Sequence, residues 1–239
     1  MRWIIALIGL LMALPAAGQG LTLTGVGTVA AGAGGGPVFA TWDAAASKAG
    51  NWDFTLGNTK ATCKTAYCGT GNQAVVTSTN PVTPTTETRK LYWEITPNFT
   101  GTPASNGVGM ISAERYAAAS DPNGPGGVVW AANGNVVADG GSPVVLGTYT
   151  TGTILSFAYD FSTKNLWLRP GCAGLWNNNA GANPATATGG GSLSGFWTTP
   201  TTAFIFGWDG FNGNADGFTL NTGASGFACA VPSGFVRWQ

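Results

Sequence analysis

The chain has 239 residues, of which only 8% are charged, with ten lysines and arginines against ten aspartates and glutamates. Neither sign forms a run, so the chain lacks the basic stripe with which a nucleic-acid binder displaces counterions from phosphates. A content of 44% hydrophobic and 11% aromatic residues excludes disorder, and 38 glycines without a three-residue period exclude collagen.

The length suits one β-type domain with a full core. The opening "MRWIIALIGLLMALPAAGQG" reads as a secretory signal peptide. Arg2 supplies the positive end, Trp3 to Leu14 the apolar stretch, and Ala16-Ala17-Gly18 a small-residue site for cleavage after Gly18. An uncleaved membrane anchor is the competing reading, but the stretch falls short of the ~20 residues that cross a bilayer as a helix. No cysteine follows the site to carry a lipid, and no later stretch reads as a transmembrane span. Residues 19–40 form a small-residue-rich segment, and a single domain is expected over residues 41–239.

Period-two alternation recurs from Thr41 onward, with turn signals between segments. In "KLYWEIT", Leu91, Trp93 and Ile95 share one face, and Tyr92, Glu94 and Thr96 the other. A short strand is expected at Val108 to Ile111, and "VVWAANGNVV" places Asn133-Gly134 between two apolar runs as a hairpin signal. "AFIFGW" aligns Phe204, Phe206 and Trp208, and "GFTLNTG" aligns Phe218 and Leu220. No helical period persists beyond two turns, so the pattern is that of an all-β sandwich. The polar loop Asn177 to Gly191 has little to bury, and is either a ligand-contact surface or a loop without a partner.

Four cysteines in an exported chain favour disulfides, with three possible connectivities. The preferred pairing is Cys63–Cys68 across "CKTAYC" and Cys172–Cys229 between distant strands, and buried free thiols are the alternative. Without C-x-x-C or any histidine, a zinc site is poorly supported.

The densest pattern is "ILSFAYDFSTKNLWLRP". Leu155, Phe157, Tyr159 and Phe161 point one way, and Ile154, Ser156, Ala158 and Asp160 the other. Asp160 is either a catalytic carboxylate or the acceptor of an Asx-type turn through "DFSTKN". A glycosidase sets two carboxylates about 5–9 Å apart, and no strand here carries an E-x-D or D-x-E pair. Asp160 is therefore read as holding the turn.

"KLYWEIT", then "GVGMIS", then "GTILSFAYDFSTKNLWLRPG" together resemble the core of the SPRY domain, which carries a W-E-V strand, a G-V-G strand and a following hairpin. "TWDAAASKAGNWDFTLGNTKAT", "NNNAGANPATATGGGSL" and "FACAVPSGFVRW" are similar to the flanks of bacterial and phage versions. The resemblance spans about Thr41 to Trp238. It departs at Gly152-Thr153, where the family has Gly-Asp, and at Asn165, where it has Gly. It implies a bent antiparallel two-sheet sandwich, concanavalin-like in architecture. It also implies a non-catalytic binding or scaffold role exercised through variable loops, so no ligand residue carries over.

Calcium is the one cofactor with any sequence signal. "NGNADGF" places oxygen donors at Asn212, Asn214 and Asp216, with Asp209 nearby, but its twelfth position is Gly223 rather than an acid. A Gly/Asn-rich turn is the stronger reading there. Histidine-dependent nucleophilic catalysis is excluded, because the chain has none. Trp176 and Trp197 flank the polar loop, and with Asn177, Asn178 and Asn179 they are the candidate ligand-binding residues. The composite expectation is a secreted or surface-exposed recognition module for a protein or surface ligand, in a bacterial cell-surface or virion setting. A lectin-like carbohydrate-binding domain is the alternative, and a glycosidase a distant third.

Overall fold

Strand alternation resolves into two antiparallel sheets packed face to face. The computed structural model describes residues 37–45, 51–64, 68, 74–100, 106–118, 122–142, 144–194, 202–210 and 216–239. The larger sheet has the spatial order β1 (Trp52–Thr55), β2 (Lys60–Cys63), β13 (Gly217–Asn221), β4 (Lys90–Asn98), β9 (Leu155–Asp160), β10 (Asn165–Pro170), β11 (Gly191–Ser192). A further strand, β14 (Val236–Arg237), runs parallel to the start of β4. The smaller sheet runs β3 (Ala74–Thr77), β12 (Ala203–Asp209), β5 (Gly107–Ser112), β6 (Gly127–Ala131), β7 (Asn135–Ala138), β8 (Val144–Val145). A short helix, α1 (Ala113–Ala118), follows β5. Among the described residues no helix is long and apolar enough to cross a membrane.

The faces fall as the alternation predicts. Leu91, Trp93 and Ile95 of β4 join Leu155, Phe157 and Tyr159 of β9 and Leu166 and Leu168 of β10 in one core between the sheets. Trp93 stacks on Phe157 and meets the edge of Trp238, each with ring centroids 5.1 Å apart. These aromatics are among the largest fully buried side chains of the described residues, and each takes a large apolar area out of water. Ala40 is also buried here, with its carbonyl accepting from Thr222 Oγ1.

Each sheet is also covered on its outside. Phe206, Trp208, Ile111 and Val129 form a cluster on the smaller sheet, with Tyr116 of α1 against it. On the larger sheet, Tyr92, Ala158 and Trp167 pack under Phe227 and Phe235 of the C-terminal segment. Glu94 fastens that segment. Its buried carboxylate accepts the backbone N–H groups of Ala228 (3.0 Å) and Cys229 (2.8 Å), the Asn221 amide and the Tyr92 hydroxyl. Both expected disulfides are formed, Cys63–Cys68 and Cys172–Cys229. The second links the turn after β10 to the same C-terminal segment.

Two details refine the sequence reading. Asn133-Gly134 does form a hairpin turn, but only Gly134 is left-handed, at φ +91°, and its N–H returns to Ala131. That is a longer, bulge-type connection rather than the two-residue turn the dipeptide usually marks. The strand at "GVGMIS" runs from Gly107 to Ser112, and its glycines have a steric cause. A Cβ on Gly109 would lie 1.9 Å from the Val128 carbonyl oxygen, and one on Gly107 would lie 2.6 Å from Val129 Cγ1.

Candidate binding groove

Between the β7–β8 side of the smaller sheet and the β10–β11 side of the larger one, the sandwich opens into a groove of about 330 Å³. One wall carries Val128, Val136, Ala138, Val144 and Leu146, and the other Leu166, Leu168 and Leu193. Its rim is Asn177, Asn179, Ser192 and the Gly189–Gly191 backbone. Val144 and the neighbouring Val145 are more than half exposed, at 61% and 66%. No titratable side chain is among the described residues that line the groove.

The long polar loop builds the rim through Asn177. This residue is left-handed, at φ +49°, a conformation asparagine tolerates better than other non-glycine residues. Its Oδ1 accepts the Leu168 N–H at 2.8 Å, and its Nδ2 donates to the Leu166 carbonyl at 3.1 Å and the Gly189 carbonyl at 2.9 Å. One side chain thus takes the place of a neighbouring strand on β10. Trp167 Nε1 donates to the Thr188 carbonyl at 2.7 Å, and Gly190 is required because a Cβ there would sit 2.7 Å from the Trp167 ring. The loop buries more than its composition predicts, with Ala182 and Pro184 both inside.

The sequence-predicted ligand residues are divided by the fold. Asn177 and Asn179 reach the groove rim, with Asn179 Oδ1 also accepting the Gly181 N–H. Asn178 is exposed beside them. Trp176 turns to the outer face of the larger sheet, where it packs on the Tyr92–Trp167 cluster with the Arg169 guanidinium 4.3 Å from its ring centroid. Trp197 lies outside the described residues.

Asp160 is not near an open cleft. Its Oδ1 accepts the backbone N–H groups of Ser162 and Thr163 and the Ser162 hydroxyl, and its Oδ2 lies 3.4 Å from Lys90 Nζ. Burial raises its pKa, but the hydrogen bonds from Ser162 and Thr163 outweigh that and hold the carboxyl below its ordinary range.

Of the four oxygen-bearing residues that the sequence offers a cation, Asn212 and Asn214 lie outside the described residues. Asp209 and Asp216 are both wholly buried. Asp216 accepts the Thr100 N–H, the Thr100 hydroxyl and the Asn106 amide. Neither oxygen of Asp209 closes a hydrogen bond. Burial, and then the negative charge of Asp216, push its pKa up to about 7, with the backbone N–H of Asp216 offsetting part of the rise.

Two residues that matter here carry no warning in sequence. Glu94 looks like an ordinary outward strand residue until its four donors are seen, and Asn177 looks like one of three equivalent asparagines. The only local signal is the scarcity of acids on strands.

No sequence-family model matches this chain, and no curated protein matches it either. Solved structures do. The SPRY domain of human HERC1 is similar at a TM-score of 0.52 and 10% identity, over 71% of this chain and 91% of that one. Another human SPRY domain is similar at 0.47 and 11%, over 72% and 94%. Stonustoxin is similar at 0.40 and 12%, over 77% of this chain and 27% of that one. With its sheet order, paired G-V-G strand and Asp160 hairpin, and on the HERC1 likeness, this chain has the SPRY fold.

Proposed function

We propose that this chain is a non-catalytic recognition module that takes an extended, apolar segment of a protein ligand into the groove between its sheets. The observation that carries the reading is the groove itself, apolar on both walls and without a titratable side chain among its described lining. Such a site can bury side chains and hydrogen-bond a backbone, but its hydroxyls, Ser142 and Ser192, have no base among the described lining to activate them or move a proton. The wholly buried carboxylates elsewhere, Asp209 and Asp216, are shielded from solvent. The fold supports a binding or scaffold role by its class. Two disulfides and the apolar N-terminal stretch support export to an oxidising compartment, with residues 1–18 removed.

Selection of a displayed random-peptide library on the purified domain tests this. Enriched peptides should carry bulky apolar residues and lose binding to Val144→Glu, whose Tm stays at the wild-type value because Val144 is exposed. Peptides that bind Val144→Glu equally well would place recognition elsewhere. Reproducible glycan binding abolished by Trp176→Ala would replace the protein ligand with a carbohydrate one.

A further inference from the structure

The C-terminal segment covers only part of the outer face of the larger sheet. Beside it lies a cleft of about 330 Å³, separate from the groove between the sheets. Its floor comes from β4 and β13, where Glu94 pairs with Asn221 and Thr96 with Thr219 across the two strands. Phe39 and Thr41 line it from before β1, Leu56 and Thr59 from the turn between β1 and β2, and Ser225 from the chain after β13.

The polarity of this cleft is of one kind. Among the described residues, the Thr41, Thr96 and Ser225 hydroxyls close no hydrogen bond. Its one acid, Glu94, already receives four donors, and no lysine or arginine is among the described lining. An anionic ligand would find no counter-charge here, and a wholly apolar one would strand the hydroxyls without water.

A second observation marks the rim. Leu56, Gly57 and Asn58 are all left-handed, at φ +53°, +63° and +62°. Glycine and asparagine tolerate this conformation, whereas leucine is strained in it. Burial does not offset the strain, since Leu56 is 72% exposed. The turn is nonetheless pinned, with the Asn58 carbonyl accepting the Trp42 N–H and the Thr59 carbonyl the Leu220 N–H, both at 2.8 Å. Strain of this sort, held in place by its surroundings, collects where ligands are gripped. Fixed aliphatic and aromatic contacts beside free hydroxyls suit a pyranose, which carries C–H groups and hydroxyls on one small ring.

We propose that this cleft binds a neutral saccharide, with Thr41, Thr96 and Ser225 bonded to its hydroxyls and Leu56 and Phe39 packed on its C–H groups. The site is independent of the groove between the sheets.

The full chain with disulfides intact, applied to an array of neutral hexose and N-acetylhexosamine oligosaccharides, tests this, with the best ligand then titrated calorimetrically. Binding to neutral sugars is expected, with no gain from added sulfate, phosphate or uronate groups. Thr96→Val keeps the branched shape and removes the hydroxyl, and should weaken binding about 10-fold. Leu56→Gly is the sharper variant, because glycine accepts the left-handed backbone. Its Tm should stay at the wild-type value while its affinity falls about 10-fold. Trp176→Ala and Val144→Glu, at sites outside this cleft, should bind as the wild type does. An array without a neutral ligand would overturn the proposal, as would wild-type affinity in both Thr96→Val and Leu56→Gly. Sugar binding lost in Trp176→Ala or Val144→Glu instead would place the site elsewhere and sink it too. Selected peptides that lose affinity for Thr96→Val rather than Val144→Glu would make this a peptide cleft, and would equally overturn it.

Discussion

Asp160 holds Ser162 twice, accepting its backbone N–H at 2.9 Å and its hydroxyl at 2.6 Å through the same oxygen. With the Thr163 N–H at 3.2 Å, this closes the turn between β9 and β10 before Lys164, which is left-handed at φ +58°. Replacing Asp160 with Ala leaves those donors without an acceptor. It should cost about 2 kcal/mol in urea unfolding, the range for hydrogen bonds to a charged group. An unchanged midpoint would remove the turn role.

The same carboxylate sets an acid limb. Its folded pKa lies below the ordinary value of 3.8, so its contribution is complete above that value and disappears as pH falls through the folded pKa. Wild-type stability should therefore fall more steeply below about pH 4 than that of Asp160→Asn, whose neutral amide does not titrate. Parallel stability–pH curves for the two proteins would contradict this.

Glu94 holds the C-terminal segment on the larger sheet together with the Cys172–Cys229 disulfide and the β14–β4 pairing. Glu94→Ala should cost about 3 kcal/mol, because it strips an acceptor from two backbone N–H groups, an amide and a hydroxyl. Hydrogen exchange should accelerate first over residues 227–238 while β9 and β10 stay protected. Uniform acceleration across the chain would mean that the segment is not a separate unit.

The disulfides should differ in weight. Cys172–Cys229 closes a sequence separation of 57 residues and Cys63–Cys68 one of 5. Loop-closure entropy then assigns about 4 kcal/mol to the first and about 2 kcal/mol to the second. Double alanine variants compared by chemical unfolding check the order. A larger loss from Cys63→Ala/Cys68→Ala would show that packing, rather than chain entropy, dominates there.

Gly109→Ala should be among the most damaging single changes, costing about 3 kcal/mol or preventing folding, because the new methyl group meets the Val128 backbone oxygen. Gly57→Ala, where nothing lies within 4 Å but φ is +63°, should cost only about 1 kcal/mol. Equal losses would refute the steric account of the G-V-G strand.

Strand positions, faces and both disulfides were legible in the sequence because each depends on local alternation or on cysteine arithmetic. Leu155, Phe157 and Tyr159 face the core as their spacing requires, and Asp160 closes its turn with residues two and three further on. What stayed hidden depends on distant partners. Nothing near Glu94 in the sequence announces that its donors are Ala228 and Cys229, more than 130 residues later. The groove was equally hidden, since its walls come from β6 to β8 and from β10 and β11, which lie in different sheets. The polar loop was open between a ligand-contact surface and a loop without a partner, and its composition gave no sign that Asn177 would bind β10 while Trp176 turned to the opposite side.

Trp42 Nε1 donates to the Phe218 carbonyl and Trp238 Nε1 to the Asn80 carbonyl, so the first and last stretches of the domain are stitched to each other's surroundings. Few early contacts can then survive alone, and closure must wait until residue 238 has been synthesised. Such long-range pairing makes for slow, cooperative folding, during which an unfinished chain displays aromatic surface that a chaperone would recognise.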